Sequence, residues 1–258
     1  MDLSRTIQFD EVADLYDAYV NVDLDIRFFI QEARRVGGKT LELMCGTGRV
    51  SIPLLQAGVD LTCVDYSKHM LARLHEKLGR AGVSCTVVEM DVTQLSLSDR
   101  FDLIVVPFHS FQEIVDRSRH LQTLGRIRAH LTENGRFICT LQNPNVRLKS
   151  IDGTLRPLGR FPMDSGRSLE VRSQLAYDAP TGLVHGFQLY DIFSRDDVLI
   201  ETRRLEINFR LFTKAEFEQL ACTAGFEVEG LYGDYGFSGF DDETSPFMIW
   251  RLKSGPVD

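Results

Sequence analysis

The residues of this 258-residue chain best suited to chemistry stand at the ends of short apolar runs. The first run leads into Glu42-Leu-Met-Cys-Gly46-Thr-Gly48-Arg49. A Gly-x-Gly behind a first strand lets backbone approach a ligand closely, and the helix that follows offers free N–H donors. Asp65 closes the second run, where a carboxylate can accept both hydroxyls of a ribose. Asp91 follows the third, in Glu89-Met-Asp-Val92, where an acceptor beside a free backbone N–H suits an adenine edge. One aspartate after a strand is most often a cap or turn residue; three such features in register on consecutive strands point to a ligand. A dinucleotide fingerprint wants Gly-x-Gly-x-x-Gly/Ala, and Ser51 occupies the third position, so an NAD(P)-dependent oxidoreductase is a poorer match. An adenosine site without a pyrophosphate cradle points to S-adenosylmethionine.

For these residues to meet, the first half of the chain must alternate strand and helix. Residues 40–44, 59–64, 84–89, 101–106 and 136–141 read as short apolar strands. Ser67 is set to cap a helix that buries Met70, Leu71, Leu74 and Leu78 and closes at Gly79. A second helix, from about Ser118 to His130, buries Leu121, Leu124, Ile127 and Leu131, and Asn134-Gly135 turns the chain into the next strand. This predicts an α/β fold, a Rossmann-like open sheet of mostly parallel strands with helices on both faces. After Leu141 the period changes. Residues 152–166 read as loop or edge material, and 168–177, 183–193 and 198–209 alternate as an antiparallel β-sheet inserted as a lid. Thr213-Lys-Ala-Glu216 opens a last helix as a capping box, and 226–232 and 246–252 make closing strands. Four segments are expected: an N-terminal helical cap (1–38), a donor-binding core (39–141), the β insert (142–211), and a helix with a β-hairpin completing the core sheet (212–258).

Leu-Glu-Leu-Met-Cys-Gly-Thr-Gly-Arg, then Cys-Val-Asp-Tyr-Ser with Met70-Leu71, then Glu-Met-Asp-Val, resembles the class I S-adenosylmethionine-dependent methyltransferases over about residues 8–141. The later Phe209-Arg-Leu-Phe-Thr, Ala224-Gly-Phe-Glu-Val and Tyr232-Gly-Asp-Tyr are similar to the tail of small-molecule members that carry an antiparallel insert. The resemblance implies a seven-stranded sheet with one antiparallel strand, and transfer of a methyl group to a nitrogen or oxygen, leaving S-adenosylhomocysteine. It implies that Glu42, Gly46 and Gly48 frame the methionine half of the donor, and that Asp65 takes the ribose. Tyr66 and Met70 would pack on the adenine, Asp91 and the Val92 N–H would read its edge, and Phe108 would sit beside the sulfonium. Met44 is counted among the donor-binding positions; the family commonly has glycine there, so its side chain is expected to point away from the ligand. Tyr16 is expected to close over the donor, and Arg49 to pair with its carboxylate or cap a neighbouring loop.

Methyl transfer from a sulfonium is an in-line displacement, so the protein mainly aligns and desolvates an electron pair against the methyl group. A base is needed only when the nucleophile arrives protonated. His109, in Pro107-Phe-His-Ser-Phe-Gln-Glu113 after the fourth strand, is the candidate general base. Tyr19, His109, Phe111, His185 and Tyr190 are the candidates for contacting the acceptor. Opposite parity puts His185 and Tyr190 on opposite faces of one strand, so at most one looks into the cleft. His69, His75, His120 and His130 read as surface or boundary residues. The insert has ten bases and nine acids, with six of the bases between Arg147 and Arg172. Lining the cleft, these would suit an acidic or phosphorylated acceptor, a solvated face being the competing reading, whereas Asp234 and residues 241–243 suit an amine; the sequence leaves this open. No acidic cluster stands beside the fourth strand, so no metal is expected. A non-catalytic S-adenosylmethionine-binding protein is a further alternative.

Thirty-seven acids against 29 bases, a formal charge of -8, argue against a protein that tracks nucleic-acid phosphates. Residues 212–258 hold nine of the acids and three of the bases, so the whole-chain charge says little about the cleft. Five cysteines without a Cys-x-x-Cys pair fit neither a disulfide scaffold nor a zinc knuckle. With no signal-length or membrane-length apolar run, the expectation is a cytoplasmic monomer or homodimer acting on a small molecule, without nucleic-acid or membrane partners.

Overall fold

Alternation of strand and helix after residue 38 builds a sheet buried on both faces. The computed structural model describes residues 7–255, so 1–6 of the expected cap and 256–258 of the expected tail lie outside the described residues. Two helices, α1 (Ala13–Tyr19) and α2 (Ile26–Val36), precede β1 (Lys39–Leu43). There follow α3 (Ser51–Gln56), β2 (Asp60–Asp65), α4 (Lys68–Ala81), β3 (Thr86–Glu89), β4 (Phe101–Val106), α5 (Arg117–Ala129) and β5 (Leu131–Gln142). After the short α6 (Pro144–Arg147) come β6 (Arg156–Pro162), β7 (Ser168–Asp178), β8 (Leu183–Phe193) and β9 (Leu199–Arg210). Helix α7 (Lys214–Thr223) leads to β10 (Phe226–Tyr232) and β11 (Phe247–Ser254).

The seven-stranded sheet has the order β10-β11-β5-β4-β1-β2-β3. Strands β1 to β5 are parallel, and β11 runs antiparallel to both its neighbours. Side-chain parity assigns the faces. Leu41, Leu43, Ile104 and Val106 pack with α5 and α7, whereas Leu61, Cys63, Leu103 and Val105 pack with α2, α3 and α4. The order reverses between β1 and β4, and there, at the carboxyl ends of the strands, open α/β sheets bind ligands.

The insert is a second sheet, β6-β7-β8-β9, antiparallel throughout. Its inner face buries Leu169, Val171, Tyr190, Leu205 and Ile207 against Val12 and Leu15 of the N-terminal segment. Helix α1 therefore lies between the insert and the rest of the molecule. The insert is one strand larger than the sequence pattern indicates, because β6 forms within the 152–166 stretch.

Local expectations hold at the caps and fail at some boundaries. Ser67 accepts from the Met70 N–H, and Thr213 and Glu216 form the reciprocal capping box. Helix α4 runs past Gly79 and stops at Gly82, whose φ of 65° supplies the left-handed turn. Helix α5 is capped by Asp116, which accepts from the Ser118 N–H, and its buried face carries His120, Leu124 and Ile127 while Leu121 is exposed. His120 and His130 are buried rather than at the surface, because backbone satisfies their rings: His120 with the Ile114 carbonyl, and His130 with the Arg126 carbonyl and the Leu97 N–H. Among the described residues no helix is long and apolar enough to cross a membrane.

Candidate active site

The loop after β1 is held by left-handed backbone. Met44, Gly46 and Gly48 have φ of 57°, 54° and 80°. The Gly46 N–H donates to Asp65 Oδ2 at 2.7 Å, and the Ser67 N–H donates to Asp65 Oδ1 at 2.8 Å. Each carboxylate oxygen retains capacity for a further donor. Burial lifts the Asp65 carboxyl above its ordinary range, opposed by these N–H groups and that of Tyr66. A Cβ on Gly46 would meet open space, whereas one on Gly48 would collide with Leu74 Cδ1 of α4. Gly46 thus fronts the ligand side, and Gly48 serves packing between loop and helix.

Three cavities at the strand ends share lining residues: the smallest has Phe9, Tyr16 and Glu113 in common with one neighbour and Met44, Tyr66 and Glu113 in common with the other. The first, about 600 Å³, is bordered by Met44, Tyr66, Asp91, Val92 and Arg119. Asp91 Oδ1 accepts from the Thr93 N–H at 2.8 Å, fixing the carboxylate beside the Val92 turn. The second, about 30 Å³, is a neck between Gly46, Asp65 and Met70 below and Phe9 and Tyr16 above. The third, about 360 Å³, is walled by aromatic side chains, including Tyr16, Tyr19, Phe108, Phe209 and Phe247. Met44 borders the first two.

Several sequence-predicted residues support the loop from behind. Glu42 is buried beneath it and accepts from Ser51 Oγ at 2.6 Å; burial pushes its carboxyl up to about 8. Arg49 forms a bidentate pair with Asp25 at 2.5 and 2.6 Å, donates to the Val22 carbonyl, and lies 4.6 Å from the centre of the Phe108 ring. Of the two roles expected of Arg49, the structure has it capping a neighbouring segment. Other bonds fasten the same segment down: Tyr66 to the Ile7 carbonyl, Ser67 to Asp10, and Thr47 to Asp17, which Lys77 also reaches.

On the acceptor side, Phe108 and His109 both adopt positive φ, 55° and 66°, and both border the third cavity. His109 stacks on Phe247 with ring centres 5.2 Å apart, and its Nδ1 is buried without a hydrogen-bond partner. Burial, with Arg147 and Arg49 nearby, lowers its pKa to about 3, so the ring is neutral and weakly basic. Phe111 does not reach the cavity: the turn at Ser110–Glu113 points it into the core against His120, Phe212 and Phe217. Tyr190 is fully buried behind Tyr19, their hydroxyls 3.2 Å apart, and His185 takes the opposite face of β8. Neither borders the cavity.

In their place the insert contributes Gln188, Ile207 and Phe209, and the β10–β11 connection contributes Tyr235. Parity within β8 signals that Gln188 shares the face of Tyr190, but only the folded position of α1 shows which face matters. Glu113 was also missed as a site residue. It borders all three cavities, and burial with Asp65 nearby pushes it up to about 8.

Comparison with known proteins agrees with this geometry. Residues 40–135 match the family model described as a methyltransferase domain. The cypemycin N-terminal methyltransferase of Streptomyces sp is 27% identical over 246 residues, 93% of this chain and 96% of that protein. The glycine/sarcosine N-methyltransferase of Halorhodospira halochloris is 30% identical over 137 residues, 52% of this chain and 51% of that one. The solved structure of the CcbJ methyltransferase from Streptomyces caelestis superposes with a TM-score of 0.82 at 21% identity, covering 99% of this chain and 100% of that one. The chain therefore carries a methyltransferase domain and has the class I S-adenosylmethionine-dependent methyltransferase fold with an antiparallel sheet insert.

Proposed function

We propose that the protein transfers the methyl group of S-adenosylmethionine to a nitrogen of a small-molecule acceptor. The observation that carries this reading is the meeting of two unlike cavities at one narrow neck. S-adenosylmethionine, when bound, supplies a methyl group on a positively charged sulfur. Asp91 and Val92 border the space suited to its adenine, Asp65 and Gly46 the space suited to its ribose and tail, and Tyr66 and Met70 the wall between. Tyr16 covers the neck, excluding water where nucleophile and methyl carbon must align. Phe108 stands on the acceptor side of the neck. The glycine/sarcosine relative above is named an N-methyltransferase, which supports nitrogen over oxygen. We place the protein in the cytoplasm as a monomer or homodimer, without nucleic-acid or membrane partners.

Titration calorimetry with S-adenosylmethionine and with NADH tests the donor. S-adenosylmethionine should bind at micromolar or better affinity and NADH weakly or not at all. Tight NADH binding without S-adenosylmethionine binding would overturn the assignment.

A further inference from the structure

Glu113 ends the short turn after β4 and is the only described residue that borders the donor cavity, the neck and the acceptor cavity. Its carboxyl has no hydrogen bond or ion pair with any described residue. The other carboxylate of the acceptor cavity, Asp25, is already engaged by both terminal nitrogens of Arg49. The remaining walls are chiefly aromatic or amide, surfaces that suit an organic cation. A single acid unengaged by the described residues in such a cavity, beside a neck where a positively charged sulfur must sit, answers a specific problem. An amine arrives protonated, is repelled by a sulfonium, and has no electron pair to give.

Resting on the reading of the protein as a nitrogen methyltransferase, we propose that Glu113 binds the acceptor as an ammonium ion and takes its proton. The ammonium N–H bond breaks, its electron pair stays on nitrogen, and the proton goes to the Glu113 carboxylate. The nitrogen pair then forms the bond to the methyl carbon while the carbon–sulfur bond breaks, its electrons going to sulfur. The products are S-adenosylhomocysteine and a methylated ammonium. The raised proton affinity of Glu113 fits proton acceptance near neutral pH. The groups facing it are Tyr16 and Tyr19 of α1, Asp65 at the end of β2 with Tyr66 after it, and His109 beside its own turn. Asp91 after β3 and Arg119 of α5 border the donor side, with the Asp25–Arg49 pair across the acceptor cavity. Tyr16, Tyr19 and Tyr66 are all shifted upward and His109 downward, leaving Glu113 the cavity group suited to exchange a proton near neutrality.

Glu113→Gln and Glu113→Asp test this with glucosamine, sarcosine and alanylalanine amide as acceptors, following S-adenosylhomocysteine release. For an acceptor that the wild type uses, kcat/KM should rise with pH through a midpoint at about 8 and level off above it. Glu113→Gln should lower kcat/KM about a hundredfold and abolish that acid limb, with S-adenosylmethionine affinity within about threefold of wild type. Glu113→Asp should restore part of the rate together with the limb. Calorimetry of alanylalanine amide with the S-adenosylhomocysteine-loaded protein should show binding weakened about tenfold by Glu113→Gln. An unchanged rate and pH profile in Glu113→Gln overturns the proposal, as does a loss of donor affinity in step with activity, which would put the carboxyl on the donor. A wild type that binds S-adenosylmethionine but methylates none of the amines overturns the nitrogen reading itself, a result visible without any variant.

Discussion

Gly46, Asp65 and Asp91 stand at the ends of adjacent parallel strands, and nearby backbone N–H groups hold both carboxylates. Gln188, Phe209, Tyr235 and Phe247 reach the acceptor cavity from the insert and the terminal hairpin, far apart in sequence and held by packing. The donor half is thus a property of local backbone, and the acceptor half a property of how separate units dock. On the proposed assignment, the insert and hairpin shape the acceptor space without touching the strand ends. The N-terminal segment belongs to both halves, since Tyr16 borders neck and acceptor cavity, and Asp25 is tied to the donor loop by Arg49.

The sharpest way to break the comparison is to untie that shared segment. Arg49→Met leaves Asp25, 1% exposed, without its cation. Breaking a buried pair from one side typically costs about 3 to 5 kcal/mol. At the low end of that range the melting temperature should fall by roughly 10 °C. Weaker binding of both donor and acceptor should accompany it, because the segment borders both spaces. A melting temperature within 2 °C of wild type, on the order of error for this assay, would show that the segment stays docked without the pair.

A pair of variants separates the halves. Asp65→Asn removes the charge that orders Gly46 and faces the neck, and should weaken S-adenosylmethionine binding about a hundredfold, as expected for loss of charged hydrogen bonds. Phe209→Ala, on the insert, should leave that affinity within about threefold and raise the acceptor KM instead, since lost aromatic burial falls on the acceptor alone. Equal loss of donor affinity in both variants would mean that the halves are not independent.

The same division governs what the sequence reveals. The sheet, its helices, the Ser67 and Thr213 caps and the Gly46–Asp65–Asp91 register are legible because each rests on residues close in sequence or on strand periodicity. Phe111 is misread because an apolar residue after a strand has the same pattern whether it faces cavity or core, and the Ser110–Glu113 turn decides. Glu42 and Gly48 lie in the right motif but act on Ser51 and Leu74 rather than on the cavity, a distinction of direction that spacing does not encode. Glu113 is passed over because its importance comes from three cavities converging on it, which is a tertiary fact.

His109 gives the smallest expected effect and the clearest contrast with Glu113. A histidine after β4 is the natural candidate base, since an unperturbed imidazole titrates near neutrality. Burial against Phe247, with Arg147 and Arg49 nearby, instead lowers it to about 3. A base that weak holds no useful fraction of a proton at pH 7, so the ring serves as a neutral wall and hydrogen-bond acceptor. His109→Asn should therefore change kcat by no more than about threefold and leave the acid limb of the pH profile in place, whereas a general base would be worth about a hundredfold or more. Steady-state rates between pH 5 and 9, conditions within about two units of neutrality, distinguish the cases. A hundredfold loss of kcat together with the acid limb in His109→Asn would return the proton to histidine and take it from Glu113.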